Sequence, residues 1–376
     1  MGKDRIIMWL CLQGVQGLGP ASGKKLLEHF QSPEAIFSAS DEELYSITGI
    51  GKNLIACIKN FQGREEAEKE YLGCQDLGVS LIPLDHEDYP ENLRHIPDPP
   101  LVLYCMGKLL PEDRAAVAVV GTREPTEYAR ALASQIGAGL AQAGITVVSG
   151  MARGVDSIAQ EAALAVGGRS IAVLGTGVDV IYPKEKKSLY QGLIEKGAVV
   201  SGVPLGTSPS PENFPSRNRI ISGLSLGVLV VQARSKKSGS LITARLALDQ
   251  DRQVYALPGP AGHPDSRATN SLIKQGARLV ECAEDIIEDL RPQVPFLKLP
   301  EKKLGPLFER KSESLLSGER DLLLVIPGTD ESPTHFDDLV KKSKLSPGDA
   351  NAILLSLELQ GLVRQLPGKR FIRTWY

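Results

Sequence analysis

The sequence predicts an α/β protein: a parallel sheet with helices on both faces, flanked by an N-terminal helical domain and a C-terminal winged-helix module. Three observations predict it. Between residues 76 and 292, short β-rich runs alternate with helical patterns. Those runs are continuously apolar rather than alternating, as expected of strands buried on both faces. The 37 glycines exceed average usage, and most of the excess follows the runs, where an open α/β sheet places its ligands.

The run 116–120 ends at Gly121 and leads into a helix. Thr126 is its expected N-cap, and Ala129, Leu132, Ala133, Ile136 and Leu140 form its buried stripe. Further β-runs follow at 145–149, 170–174, 199–201, 228–231 and 254–257, each set off by a helical pattern. Upstream, residues 1–75 read as helical. There Gly17-Leu18-Gly19 and Gly49-Ile50-Gly51 lie between helical patterns. Such hGhG turns are the helix-hairpin-helix signature, whose backbone N–H groups can grip phosphate; a purely structural or partner-binding module fits them equally. Lys24, Lys25, Lys52 and Lys59 stand on the helices that follow.

Residues 293–314 are rich in Pro and Lys without periodicity and read as a linker. Residues 315–376 read as helices at 318–326, 334–342 and 346–361, then a hairpin over 362–373 around Pro367-Gly368. That is the order of a winged helix-turn-helix. The third helix contains no Lys or Arg; only Asn351 and Gln360 suit base edges, beside Asp349 and Glu358. Sequence-specific reading of the major groove is therefore not expected. Arg364, Lys369, Arg370 and Arg373 place cations on the wing for backbone contact, unless the module binds protein.

At 376 residues the chain is long enough for two or three domains. Its 43 Lys+Arg against 45 Asp+Glu exclude a uniformly basic nucleic-acid coat, but not a local basic site. Cys11, Cys57, Cys74, Cys105 and Cys282 form no CxxC pair and no His/Cys cluster, so a reducing compartment and no metal are expected. The apolar start is too short for a secretory signal, and the quiet stretch 220–233 contains Gly and Ser and is too short to span a bilayer. The expectation is a cytoplasmic protein that touches no membrane.

Nucleotide fingerprints fail. Gly121-Thr122-Arg123 opens no GxGxxG, Gly175-Thr176-Gly177 lacks the third glycine, and the second run ends in Ser149 where an acidic ribose partner is wanted. No Walker A motif is present, so no cofactor is expected. What remains is an anion site at a strand-to-helix turn, where Gly121 admits the backbone, Thr122 offers a hydroxyl and Arg123 forks onto phosphate. A tight turn with a solvated arginine fits that tripeptide equally well. A stronger signal is residues 213–248, which contain no carboxylate where about four are expected, yet hold Arg217, Arg219, Arg234, Lys236, Lys237 and Arg245. Phe214 suits base stacking, and Arg217, Arg219 and Lys237 suit phosphates. Against this, Phe214 fits a core position and Arg219 a structural ion pair.

The motifs VGTREPTEYAR (120–130), VSGMARGVDSIA (148–159), AVLGTGVDVIYP (172–183), FPSRNRIISGLS (214–225), KSGSLITARLAL (237–248), VYALPGP (254–260) and NSLIKQGA (270–277) occur in that order. With YPENLRHIPDPPLVLYCMG (89–107), they resemble the DNA-processing protein A family (DprA, also called Smf). The resemblance implies a Rossmann-like domain that binds single-stranded DNA in natural transformation without acting as an enzyme. It implies delivery of strands to the RecA recombinase past single-strand-binding protein, and a sterile-alpha-motif-like N-terminal domain. By motif position the strand site comprises Gly121, Thr122, Arg123, Gly150, Phe214, Arg217, Asn218, Arg219, Lys237, Ser238 and Gly239. A homodimer interface near the end of this domain would include Asn270, Leu272, Ile273, Ala277 and Leu279. Gly202, Lys186, Gln232 and Ala268 depart from the family pattern, two of them by lacking a carboxylate. One alternative is a nucleoside monophosphate hydrolase of a related fold, for which Glu124, Asp156 and Asp179 are the remaining acids; that chemistry needs an acid or base and a stabilising carboxylate. Another is a winged-helix regulator with a sensor domain, which the uncharged third helix disfavours.

Overall fold

The structure, a computed structural model, describes residues 2–235, 238–294, 317–327, 333–343, 345–359 and 362–373. They fall into two compact units divided between residues 300 and 301.

The first unit begins with six helices: α1 (Lys3–Gly14), α2 (Pro20–Phe30), α3 (Pro33–Ser38), α4 (Asp41–Tyr45), α5 (Lys52–Lys59) and α6 (Arg64–Asp76). Their starts carry the expected signals. Pro20 and Pro33 open α2 and α3, Ser32 Oγ accepts from Ala35 N at 3.2 Å, and Ser40 with Glu43 forms a capping box on α4. Gly17 and Gly49 take φ of 80° and 94° in the turns before α2 and α5. The six helices share one hydrophobic core with the sheet that follows, running from Trp9 and Leu26 through Tyr104 to Val120 and Val230.

The sheet has nine strands. They are β1 (Ser80–Pro83), β2 (Val102–Gly107), β3 (Ala116–Val120), β4 (Thr146–Ser149), β5 (Ser170–Leu174), β6 (Ala198–Ser201), β7 (Gly227–Val230), β8 (Gln253–Ala256) and β9 (Arg278–Leu279), in the order β1-β2-β6-β5-β4-β3-β7-β8-β9. From β6 to β9 all pairings are parallel, as the continuous apolar runs predict. The edge departs from the purely parallel expectation. β2 pairs antiparallel with β6, and β1 antiparallel with β2, across the short α7 (Glu91–Arg94).

The intervening helices are α8 (Glu127–Gln142), α9 (Val155–Ala165), α10 (Lys187–Lys196), α11 (Asn213–Gly223), α12 (Gly239–Asp249), α13 (Arg267–Lys274) and α14 (Ala283–Leu290). One sheet face, with Val117, Val119, Leu229 and Tyr255, packs on α8, α9 and α14. The opposite face, with Ala118, Val120, Val173 and Val230, packs on α11, α12 and the N-terminal helices. Thr126 Oγ1 caps α8 by accepting from Ala129 N. Ala129, Ala133, Ile136 and Leu140 are buried and Leu132 is partly so, as its spacing predicts.

The second unit contains α15 (Ser317–Val325), β10 (Thr334–His335), α16 (Phe336–Ser343), α17 (Pro347–Leu359), β11 (Val363–Leu366) and β12 (Arg370–Arg373). Its sheet order is β10-β12-β11, around a core of Leu322, Leu339, Leu354, Leu357 and Phe371. This is a winged helix-turn-helix arrangement. The short β10 takes the first two residues of the helix expected from 334. Residues 295–314 of the expected linker lie outside the described residues. No helix among the described residues is long and apolar enough to cross a membrane.

Candidate functional site

β3 is flanked by β4 on one side and β7 on the other. The chain leaves β3 for α8 on one face and leaves β7 for α12 on the other. Such a divergence opens a crevice beyond the carboxyl ends of the strands. Two cavities of about 440 and 370 Å³ occupy it and share Arg123, Glu124, Ala152, Phe214 and Arg217 in their walls.

The turn after β3 is fixed by its backbone. Thr122 N donates to Gln232 O at 2.9 Å, Val155 N donates to Thr122 O at 3.2 Å, and Glu124 N donates to Thr122 Oγ1 at 3.2 Å. Gly154, at φ 81°, packs so tightly under this turn that a Cβ would lie 2.4 Å from Thr122 O. The turn is thereby held against α9, and Arg123 stands exposed above it. Its guanidinium carbon lies 5.9 Å from the centre of the Phe214 ring, within cation–π range. Phe214 in turn faces Tyr182, with ring centres 5.8 Å apart and planes tilted by 44°.

Arg217, three residues along α11 from Phe214, lies on the crevice floor. It is 8% exposed, and its Nη1 donates to Val173 O at 2.6 Å. Gly150 is the reason it fits: a Cβ there would stand 1.7 Å from Nη1. Gly150 N donates to Asp156 Oδ2 at 3.1 Å. Burial holds the Asp156 carboxyl above its ordinary range, offset by the Arg217 charge and the Gly150 N–H. Burial likewise lowers Arg217, offset by Asp156. Asn218 Nδ2 reaches Gly239 O at 3.5 Å and ties α11 to the start of α12, where Ser238 and Gly239 complete the inner wall.

The crevice thus brings together Gly121, Thr122, Arg123, Gly150, Phe214, Arg217, Asn218, Ser238 and Gly239. Lys237 lies outside the described residues. Arg219 does not join them. It turns to Asp98, donating to its backbone O, with Nε 3.5 Å from Oδ2. The sequence reading of Arg219 as a phosphate contact is corrected: Arg217 and Arg219 are two positions apart on α11, about 200° around a helix, so they cannot share a face.

Sequence reasoning missed Tyr182, Arg153 and Ser240 in the crevice walls. The aromatic before Pro183 in VDVIYP was a usable signal for Tyr182. It also missed how the acids are engaged. Arg234 binds Glu124 at 3.0 Å and Asp265 at 2.8 Å, and Asp179 accepts from Gly206 N at 2.9 Å. Among the departures from the family pattern, Gln232 Oε1 accepts from Thr126 N at 2.9 Å and so braces the β3–α8 turn without charge. A Cβ at Gly202 would lie 3.1 Å from Ile220 and 3.3 Å from Pro100. Lys186 pairs with Glu161 at 2.9 Å, and Ala268 is buried.

Of the expected pairing surface, Asn270 is occupied within the fold. Its Nδ2 donates to Gly259 O at 2.9 Å and its Oδ1 accepts from Gly259 N at 3.1 Å. Leu272 and Ala277 pack partly against the core, Ile273 is half-buried, and Leu279 is exposed on β9 at the sheet edge. No group of three or more His, Cys, Asp or Glu able to hold a metal occurs among the described residues.

Comparison with known proteins places these features. A family model described as DNA recombination-mediator protein A matches residues 80–291. A DprA winged helix domain model matches 309–369, and a SAM-like helix-hairpin-helix tandem model matches 11–59. Protein Smf of Synechocystis sp. is 34% identical over 399 residues, covering 99% of this chain and 100% of that protein. The X-ray structure of DNA processing protein A from Streptococcus pneumoniae superimposes with a TM-score of 0.61 at 30% identity, covering 77% of this chain and 98% of that one. A structure of DNA processing protein A from Helicobacter pylori, described for its single-stranded DNA binding mode, superimposes with a TM-score of 0.51 at 33% identity. It covers 57% of this chain and 96% of that one.

Proposed function

This chain belongs to the DNA recombination-mediator protein A (DprA) family, and from that premise we propose that its strand-end crevice binds single-stranded DNA. The observation that carries the reading is the juxtaposition of the Arg123 guanidinium with the Phe214–Tyr182 ring pair at the crevice mouth. An unpaired base can slide onto those rings while Arg123 takes the adjoining phosphate; a base stacked in duplex cannot. The single-stranded DNA binding described for the Helicobacter pylori relative supports the same assignment.

In this reading the protein protects incoming strands in natural transformation and loads RecA onto them in place of single-strand-binding protein, in the cytoplasm. Two copies pair through the β9 end of the sheet, where Leu279 is exposed, so that one strand is held twice. The protein is not an enzyme. Hydrolysis of a nucleoside monophosphate would need a carboxylate poised at the sugar. Glu124 is paired with Arg234, Asp156 is buried beside Arg217, and Asp179 closes on Gly206 N.

The test is an anisotropy titration with single- and double-stranded oligonucleotides at several salt concentrations. Single strands bind tighter, with a steep salt dependence, and Arg123→Ala weakens binding about 10-fold or more while lowering the salt slope by about one. Equal affinity for both forms, or unchanged binding by Arg123→Ala, refutes the proposal.

A further inference from the structure

The outer half of the crevice, beyond Tyr182, carries an ion pair that the fold does not need. Arg153 stands in the turn between β4 and α9, and Glu185 in a 3₁₀ turn, Lys184–Lys186, just past Tyr182. Arg153 Nε donates to Glu185 Oε1, and both residues line the larger cavity together with Tyr182, Lys184 and Phe214. The two side chains are 67% and 47% exposed. An ion pair so open to water adds little to stability. Each turn is also fixed without it. Ala152 O accepts from Ser157 N at 3.2 Å and from Ser157 Oγ, which holds the backbone beside Arg153. Lys186 Nζ donates to Glu161 Oε1 at 2.9 Å, which ties the 3₁₀ turn to α9. Lys186 departs from the family pattern, so that fastening is this chain's own.

Glu185 stands where a ligand anion would stand. The Arg153 N–H holds its carboxyl below the ordinary range, so at neutral pH it is an anion on an arginine. It engages that arginine through a single Nε–Oε1 contact, not the two-pronged fork that a guanidinium offers to phosphate. The ring pair therefore has one guanidinium, Arg123, beside Phe214 and a second, Arg153, on the Tyr182 side. A base within a strand is likewise flanked by two phosphates. We propose that Arg153 is a second phosphate seat, for the phosphate on the far side of the stacked base, and that Glu185 occupies it as an internal stand-in until a strand displaces it. The proposal rests on the single-strand reading of the crevice and adds an outer contact and a built-in competitor. A phosphodiester that forks onto Arg153 displaces a carboxylate held by one bond, and Lys184, exposed in the same wall, adds charge for it. Displacing Glu185 lowers the affinity for every strand, so the protein holds DNA less tightly than its arginines alone would and releases it more readily.

The experiment titrates a labelled single-stranded oligonucleotide with the full-length wild type, Glu185→Gln, the double variant Arg153→Lys with Glu185→Gln, and Arg123→Ala. Glu185→Gln is expected to bind about two- to five-fold tighter, the equivalent of one exposed ion pair that no longer has to be broken. Its affinity also falls more steeply with salt, by up to about one unit of log–log slope, because a counterion released from phosphate is no longer taken up by the freed carboxylate. Arg153→Lys in that background keeps the charge and loses the fork, and binding falls back about three-fold or more. Unchanged affinity in Glu185→Gln overturns the proposal. So does a gain that survives Arg153→Lys in full, since it would then reflect net charge alone. A thermal midpoint of Glu185→Gln more than about 3 °C below wild type also overturns it, because the pair would be a fastening of the fold. In each of these cases weakened binding by Arg123→Ala shows that the strand site itself stands. If Arg123→Ala binds strands as wild type does, or no strand binds at all, the single-strand reading falls and this proposal with it.

Discussion

Gly150→Ala tests whether the crevice floor is built around one buried cation. The added methyl would stand 1.7 Å from Arg217 Nη1 and 2.2 Å from Cζ. Gly150 does not adopt a left-handed φ, so alanine meets no backbone strain there. The whole effect must come from the guanidinium. That group is buried, so it cannot swing into solvent, and displacing it breaks the 2.6 Å hydrogen bond to Val173 O. A hydrogen bond from a charged group contributes about 1.5–3 kcal/mol, so Gly150→Ala destabilises the first unit by about that much. For a unit of this size the thermal midpoint falls by about 2–5 °C. The control is the same substitution in an Arg217→Ala background, where the methyl has nothing to strike and adds less than about 0.5 kcal/mol. Denaturant or thermal unfolding of the four proteins completes the cycle. Equal destabilisation by Gly150→Ala in both backgrounds would refute the idea that this glycine exists to admit Arg217.

Arg219→Ala separates structural from binding arginines: it removes the anchor on Asp98 and destabilises by about 1.5–3 kcal/mol, while single-strand affinity of the folded protein stays within about two-fold. A large loss of affinity at full folding would place Arg219 in the site after all. Asp156 makes stability depend on pH. Burial raises its folded value above the unfolded one near 3.8, so its stabilising contribution is complete below that value and is lost as pH rises through the raised one. Relative to Asp156→Asn, the wild type therefore loses stability as pH climbs from about 4 through that window. A constant difference between the two proteins across the window would show that burial does not govern this carboxyl.

The parallel core was legible because its strands are buried on both faces and so read as uninterrupted apolar runs; the run 170–174 is β5 residue for residue. The antiparallel edge was not, for a physical reason. β2 finds its partner β6 some ninety residues away, and nothing local records such a pairing. β9 is two exposed residues, too short to carry any period. In the crevice, glycines and arginines announced themselves as residue types, but a type does not reveal direction. Arg217 and Arg219 look alike in FPSRNR, and only the helical phase of α11 sends one to the crevice floor and the other to Asp98. Asp156 was legible as an acid near the site, but its burial and its bond to Gly150 N are tertiary facts. Ser240 looked like any small residue opening a helix; its place in the crevice wall depends on α11 lying opposite.

The central position of β3 also sets a timetable for folding. Val117 pairs with Val147 on one side, but with Gly227 on the other, about 110 residues later in the chain. During synthesis the strands from β3 to β6 can gather while one edge of β3 still has bare N–H and C=O groups. That edge closes only when β7 arrives, and α12 follows after it. The inner part of the crevice lies across this last seam, so the wall formed by Ser238, Gly239 and Ser240 appears last, in a nearly complete sheet. A chain truncated before β7 would retain Gly121, Arg123 and Phe214 and still lack the inner wall at Ser238 and Gly239. Long-range pairing of this kind slows folding and leaves an adhesive strand exposed in the meantime.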